Sequence, residues 1–151
     1  MKNFYAIVLL SFLLGCSSTS DTSIFNTEVK RVQTGSKSVL FNKSLDWAAK
    51  HYNDSKSVIE VKDPQRGRII GRGIVQISSN LGMRIDYYSY TIQIDVKEDK
   101  ARIKLSNLAP HSGLNGVSDP SYLKKKIKRK LDLVIESYFN TIKLSTEADD
   151  W

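Results

Sequence analysis

The apolar and polar positions change period several times along the chain, and each change marks an element. Phe4 to Leu14 (FYAIVLLSFLL) is an almost unbroken apolar run. It is well short of the ~20 residues that a membrane-spanning helix needs. Residues 17–26 (SSTSDTSIFN) are polar and without period, as in a flexible tether. Residues 27–34 (TEVKRVQT) set Val29 and Val32 among charges, which predicts a strand at a sheet edge, and Gly35 ends it. Over residues 38–53, Phe41, Leu45, Ala48 and Tyr52 recur at helical spacing behind Ser38 as N-cap, with Trp47 and His51 on the margin of that face.

The period then becomes two. Residues 56–62 (KSVIEVK) predict a strand with Ile59 and Val61 on one side, and residues 63–67 (DPQRG) predict a turn. In the return strand, 68–78, Ile69, Gly71, Gly73, Val75 and Ile77 share one face. Arg68, Ile70, Arg72, Ile74 and Gln76 share the other. The two glycines would let a helix backbone approach closely. A turn at 79–83 leads to the longest strand, 84–96, with Tyr88, Tyr90, Ile92, Ile94 and Val96 as its core face. Ile85, Tyr87, Ser89, Thr91, Gln93 and Asp95 lie opposite. A tight hairpin at 97–100 precedes a strand at 101–105, and residues 107–120 read as a long irregular loop. The second helix, 120–144, carries a stripe of Leu123, Ile127, Leu131, Val134, Tyr138 and Ile142, widened by Ile135 and Phe139. The order β-α-β-β-β-β-α predicts an α+β domain: an antiparallel sheet of four to five strands, helices on one face only, and the other face mixed and polar.

What precedes the domain changes where it is expected to work. Lys2, the apolar run and Leu13-Leu14-Gly15-Cys16 match the lipobox of bacterial lipoprotein precursors. Residues 1–15 are then a signal peptide, and residues 16–26 are the lipidated Cys16 and its tether. Residues 27–144 form the domain and 145–151 (STEADDW) an acidic tail. Two or three acyl chains on Cys16 make a stable anchor, because each buried methylene contributes about 0.8 kcal/mol. Ser17 follows the cysteine; an Asp there would resemble an inner-membrane retention signal, so the outer membrane, facing the periplasm, is the expected site. Cys16 is the only cysteine, so no intramolecular disulfide staples the fold.

Charge narrows the partners. The chain has 23 Lys and Arg against 16 Asp and Glu, a net +7. Such a surface favours an acidic envelope protein, an anionic lipid or a glycan. Nucleic acid suits the same electrostatics, but a secreted protein rarely meets it, and none is expected. Lys124, Lys125, Lys126, Lys128, Arg129 and Lys130 crowd the first half of the second helix. They read either as a solvated face whose stems shield the apolar stripe or as a patch for anionic head groups. They sit at the positive end of the helix dipole, where cations are slightly unfavourable. On the uncovered sheet face, Arg68, Arg72, Tyr87, Arg102 and Lys104, with exposed Ile70 and Ile74, would suit an acidic or amphipathic partner.

No catalytic, cofactor or metal residues emerge. Gly71-Arg72-Gly73 lacks the spacing and the helix of a phosphate loop. His51 on a helix and His111 in a loop have no partner at motif spacing, so a hydrolase is only a remote alternative. Residues 44–77 (SLDWAAKHYNDSKSVIEVKDPQRGRIIGRGIVQI) resemble a bacterial family known as a domain of unknown function with a TATA-box-binding-protein-like fold. The likeness rests on the helix with Trp47 and on the VIEVKDPQRGRIIGRG hairpin. It implies two helices packed on one face of a curved antiparallel sheet, often behind a lipobox, and it implies no activity, substrate or catalytic residue. The fold's name suggests DNA, which is analogy only. A non-enzymatic, membrane-tethered binding or scaffolding module is the expected function.

Overall fold

The computed structural model describes residues 25–52, 58–79, 84–111 and 123–144. The predicted leader, Cys16, the tether as far as residue 24, the turn at 80–83, residues 112–122 of the loop and helix start, and the acidic tail lie outside these residues. The elements are β1 (Thr27–Val32), α1 (Lys37–His51), β2 (Val58–Asp63), β3 (Arg68–Ser79), β4 (Arg84–Lys97), β5 (Lys100–Pro110) and α2 (Lys124–Leu144). The strands form one sheet in the order β1-β5-β4-β3-β2, with every neighbouring pair antiparallel. The predicted α+β order stands. β1 is an edge strand, and it is the last strand, β5, that returns to cover its inner side.

Both helices lie on the face that carries Ile69, Val75 and Ile77 of β3, Tyr88 through Val96 of β4, and Ala101, Ile103 and Leu105 of β5. The predicted stripe of α2 is buried, apart from the half-buried Val134. α1 is rotated from its predicted face: Leu40, Phe41, Ser44, Trp47 and Ala48 are buried, and Leu45 and Tyr52 are only partly so. Ser44 makes this possible. Its hydroxyl donates to the Leu40 carbonyl at 2.7 Å and lies 3.0 Å from the Tyr138 hydroxyl, so a polar residue sits satisfied in the middle of the face. Trp47 is core rather than margin, 2% exposed, with its indole N–H donating to Ser137 Oγ at 3.2 Å.

Four local expectations are corrected. The N-cap of α1 is Ser36, whose hydroxyl accepts from the Val39 N–H, and Ser38 lies inside the first turn. Two acids of the β4–β5 hairpin complete that helix start: Glu98 accepts from the Lys37 N–H at 3.1 Å and Asp99 from the Gly35 N–H at 3.0 Å. In β2, Ile59 opposes Gly71 and Val61 opposes Ile70, so Glu60 is the extra residue of a bulge. Ile59 and Val61 therefore lie on opposite faces, and Val61 is 41% exposed. In β5 the strand runs on through residues 107–110, because Asn107 takes φ 55° in a second bulge and flips the alternation so that Leu108 is buried. Finally, Phe25, assigned to the tether, is 3% exposed in the core.

The glycines also do something other than expected. A Cβ on Gly73 would collide with the ring of Tyr90, its cross-strand partner. That ring, not a helix backbone, fills the space, and its hydroxyl reaches the hydroxyl of Tyr52, the C-cap of α1, at 3.1 Å. Burial pushes both phenols upward in pKa, so the pair stays protonated. Gly67 is needed at the β2–β3 turn for two reasons. Its φ is 65°, and a Cβ would strike the Val96 carbonyl.

Candidate functional site: the open face of the sheet

Alternation along the five strands sends one set of side chains away from both helices. In register they form rows across the sheet. One row runs Asp63, Arg68, Asp95, Arg102, Lys30, alternating in charge until its last two members. The next runs Val61, Ile70, Gln93, Lys104, Glu28, and beyond it Arg72 faces Thr91 and Ser106. The five residues predicted as a binding surface, Arg68, Arg72, Tyr87, Arg102 and Lys104, all belong to this face. Ile70 and Ile74 belong to it too, but they are half-buried between their neighbours rather than exposed. The exposed apolar residues here are Val32, Val61 and Ile85.

Asp95 organises the centre. It is 13% exposed and accepts from Arg68 Nε at 2.6 Å, from Gln93 Nε2 at 2.7 Å and from Arg102 at 2.6 Å. Burial alone would raise its pKa, but the hydrogen bonds from Arg68, Gln93 and Arg102 outweigh it and hold the carboxyl below its ordinary value. Hydrogen bonding to Asp95 in turn raises Arg102. Two of the predicted cations are thus engaged inside the protein. Arg72 is 63% exposed and 3.4 Å from Glu60, an exposed pair that a partner's carboxylate can replace at little cost.

The described residues line two concavities, of which only the first adjoins the rows. One, of about 410 Å³, lies at the corner where β1, β5 and β4 end, between Lys30, Val32, Asp95, Lys97, Lys100 and Arg102. The other, of about 350 Å³, lies between α2 and β3, lined by Ile77, Ser78, Lys126, Arg129, Lys130 and the 58%-exposed Leu133. The six cations of α2 are all exposed. Lys128 pairs with Asp132 at 2.8 Å and Lys126 donates to the Ser78 carbonyl at 3.0 Å.

Neither histidine lines either concavity. His51 stacks on Trp47 with ring centroids 4.8 Å apart, and burial pushes its imidazole below the ordinary value. His111 follows β5, its N–H donating to the Tyr87 carbonyl at 3.0 Å. Among the described residues no three His, Cys, Asp or Glu side chains gather as metal ligands, and no helix is long and apolar enough to cross a membrane.

Comparison with solved structures returns the same architecture. A TBP-like protein from Parabacteroides distasonis is 15% identical, with a TM-score of 0.65 over 78% of this chain and 91% of that one. A DUF4468 family protein from Bacteroides ovatus is 16% identical, with a TM-score of 0.56 over 83% and 87%. At such identities the likeness is one of fold. No curated protein matches the chain. The model of the domain of unknown function (DUF4468) with TBP-like fold matches residues 25–109, more than half of the sequence and beginning at the buried Phe25. The chain belongs to that family.

Proposed function

We propose that this protein is a lipid-anchored envelope lipoprotein whose domain binds an acidic protein partner on its open sheet face and performs no chemistry of its own. The lipobox at Leu13–Cys16 supports the anchor and the outer-membrane, periplasm-facing site. The single observation that carries the binding role is the open face itself. The helices are both spent on the other side, leaving a broad strand surface on which exposed Arg72 and half-buried Lys104 and Tyr87 stand with the exposed Val61 and Ile85. Cation, phenol and aliphatic groups together suit a surface that carries carboxylates around an apolar centre.

Crosslinking in intact cells, followed by identification of attached proteins, tests both parts. Labelled palmitate is expected on the wild-type chain and absent from Cys16→Ser. The paired substitution Arg72→Glu with Lys104→Glu is expected to remove the crosslinked partner while leaving the fold intact. An unchanged set of partners sinks this face as the site. A second reading has its own support: the six exposed cations of α2 and the adjoining groove with Leu133 match the chemistry of an anionic lipid or glycan surface.

A further inference from the structure

The two edges of the sheet differ. β2 closes one edge with its ladder interrupted at Glu60 and with Pro64 directly after its last residue. A bulge and a proline are devices by which an edge strand refuses another chain. β1, at the opposite edge, has neither. Its six residues run in uninterrupted register with β5, and among the described residues no strand pairs with its outer side. The register continues to Gln33, whose N–H donates to the Asp99 carbonyl at 3.0 Å. Backbone groups alternate in direction along a strand. The odd-numbered residues of β1 therefore bond to β5, and the N–H and C=O groups of Glu28, Lys30 and Val32 turn outward. All three side chains are exposed.

We propose that β1 is a docking edge for a second copy of this chain, the two β1 strands pairing antiparallel about a two-fold axis through Val29. Charge selects this register. With the axis at Val29, Glu28 faces the partner's Lys30 and Lys30 faces the partner's Glu28, and each of these pairs exchanges both outward hydrogen bonds. Moved to Glu28, Lys30 or Arg31, the axis would set that residue's charge against its own image. At either end of β1 it would leave half of the strand unpaired. Thr27 then faces the partner's Arg31. Its small side chain leaves undisturbed the guanidinium of Arg31, which lies 4.5 Å over the Phe139 ring and pairs with Glu136. The pairing keeps both pairs of helices on one side and joins the two open faces into one continuous surface. It stands whether or not the chain is lipidated.

The test uses two full-length copies with different affinity tags, co-expressed, extracted in a non-ionic detergent and captured through one tag. Wild-type copies are expected to co-purify. Glu28→Lys with itself, and Lys30→Glu with itself, should each fall at least about tenfold, since like charges then meet twice across the seam. Glu28→Lys with Lys30→Glu should return to within about twofold of wild type, because the swapped charges are again opposite. Lys30→Pro removes an outward N–H without touching the ladder to β5. It should keep the thermal transition and lose co-purification. The proposal is overturned if wild-type copies fail to co-purify, if the mixed pair does no better than either variant alone, or if Lys30→Pro still pairs.

Discussion

Asp95 accepts hydrogen bonds from two arginines and a glutamine while only 13% exposed, and it separates Arg68 from Arg102 in its row. Both arginines keep about a third of their surface in water, 39% and 34% exposed, so solvent screens part of the interaction. Asp95→Ala is expected to lower the unfolding free energy by about 2 kcal/mol at pH 7, below the 3–5 kcal/mol of a fully buried pair. Urea denaturation reads this. The folded-state pKa of Asp95 is depressed. Its contribution is therefore fully present above the unfolded value, about 3.9, and is lost as pH falls through the lower folded value. Wild type and variant should draw together in stability as pH falls below the unfolded value of about 3.9 and on through the lower folded value; a gap that stays constant throughout acid titration would refute the assignment. That Asp95 lies opposite the core face was legible from alternation. That it gathers Arg68 and Arg102 was not, because only the pairing of β3, β4 and β5 puts the three in one row.

Between elements, the contact of α1 with α2 turns on a polar pair that no apolar stripe announces. Ser44→Ala leaves the buried Tyr138 hydroxyl without its partner, and its cost is expected to be about 2 kcal/mol. Tyr138→Phe leaves Ser44 bonded to the Leu40 carbonyl, and its cost should be about 1 kcal/mol. The double variant should cost less than the sum, because no orphaned hydroxyl remains. Strict additivity in thermal or urea unfolding would exclude the coupling. The stripe of α2 could be read directly, since each of its buried positions is apolar. α1 could not, because Ser44 occupies the centre of its buried face and displaced the apparent stripe by about a fifth of a turn. The bulges at Glu60 and Asn107 were hidden for a similar reason. A two-residue period carries no mark of the point at which one strand slips against the next.

At the scale of the molecule, both helices cover one face, so the cations of α2 and those of the open face look in different directions. They are separable by experiment. A Cys16→Ser chain in a neutral detergent, diluted onto vesicles of phosphatidylcholine with or without phosphatidylglycerol, should bind only the anionic vesicles if α2 meets lipid. Replacing Lys124, Lys125, Arg129 and Lys130 by Gln should remove that binding, and Arg72→Glu should not. Raising salt from 0.05 to 0.5 M should weaken it by about tenfold or more as the Debye length shortens. Binding that ignores salt and lipid charge would rule the second reading out. The sequence alone determined the element order, the buried faces of β3, β4 and α2 and the edge position of β1, because each is written in local period. Only the tertiary structure decided that β5 returns to β1, whose outer side meets no other strand among the described residues, that Tyr90 rather than a helix fills the space over Gly73, and that Phe25 belongs to the core. Each of these depends on residues far apart in the chain meeting in space, and no local pattern specifies which of them will meet.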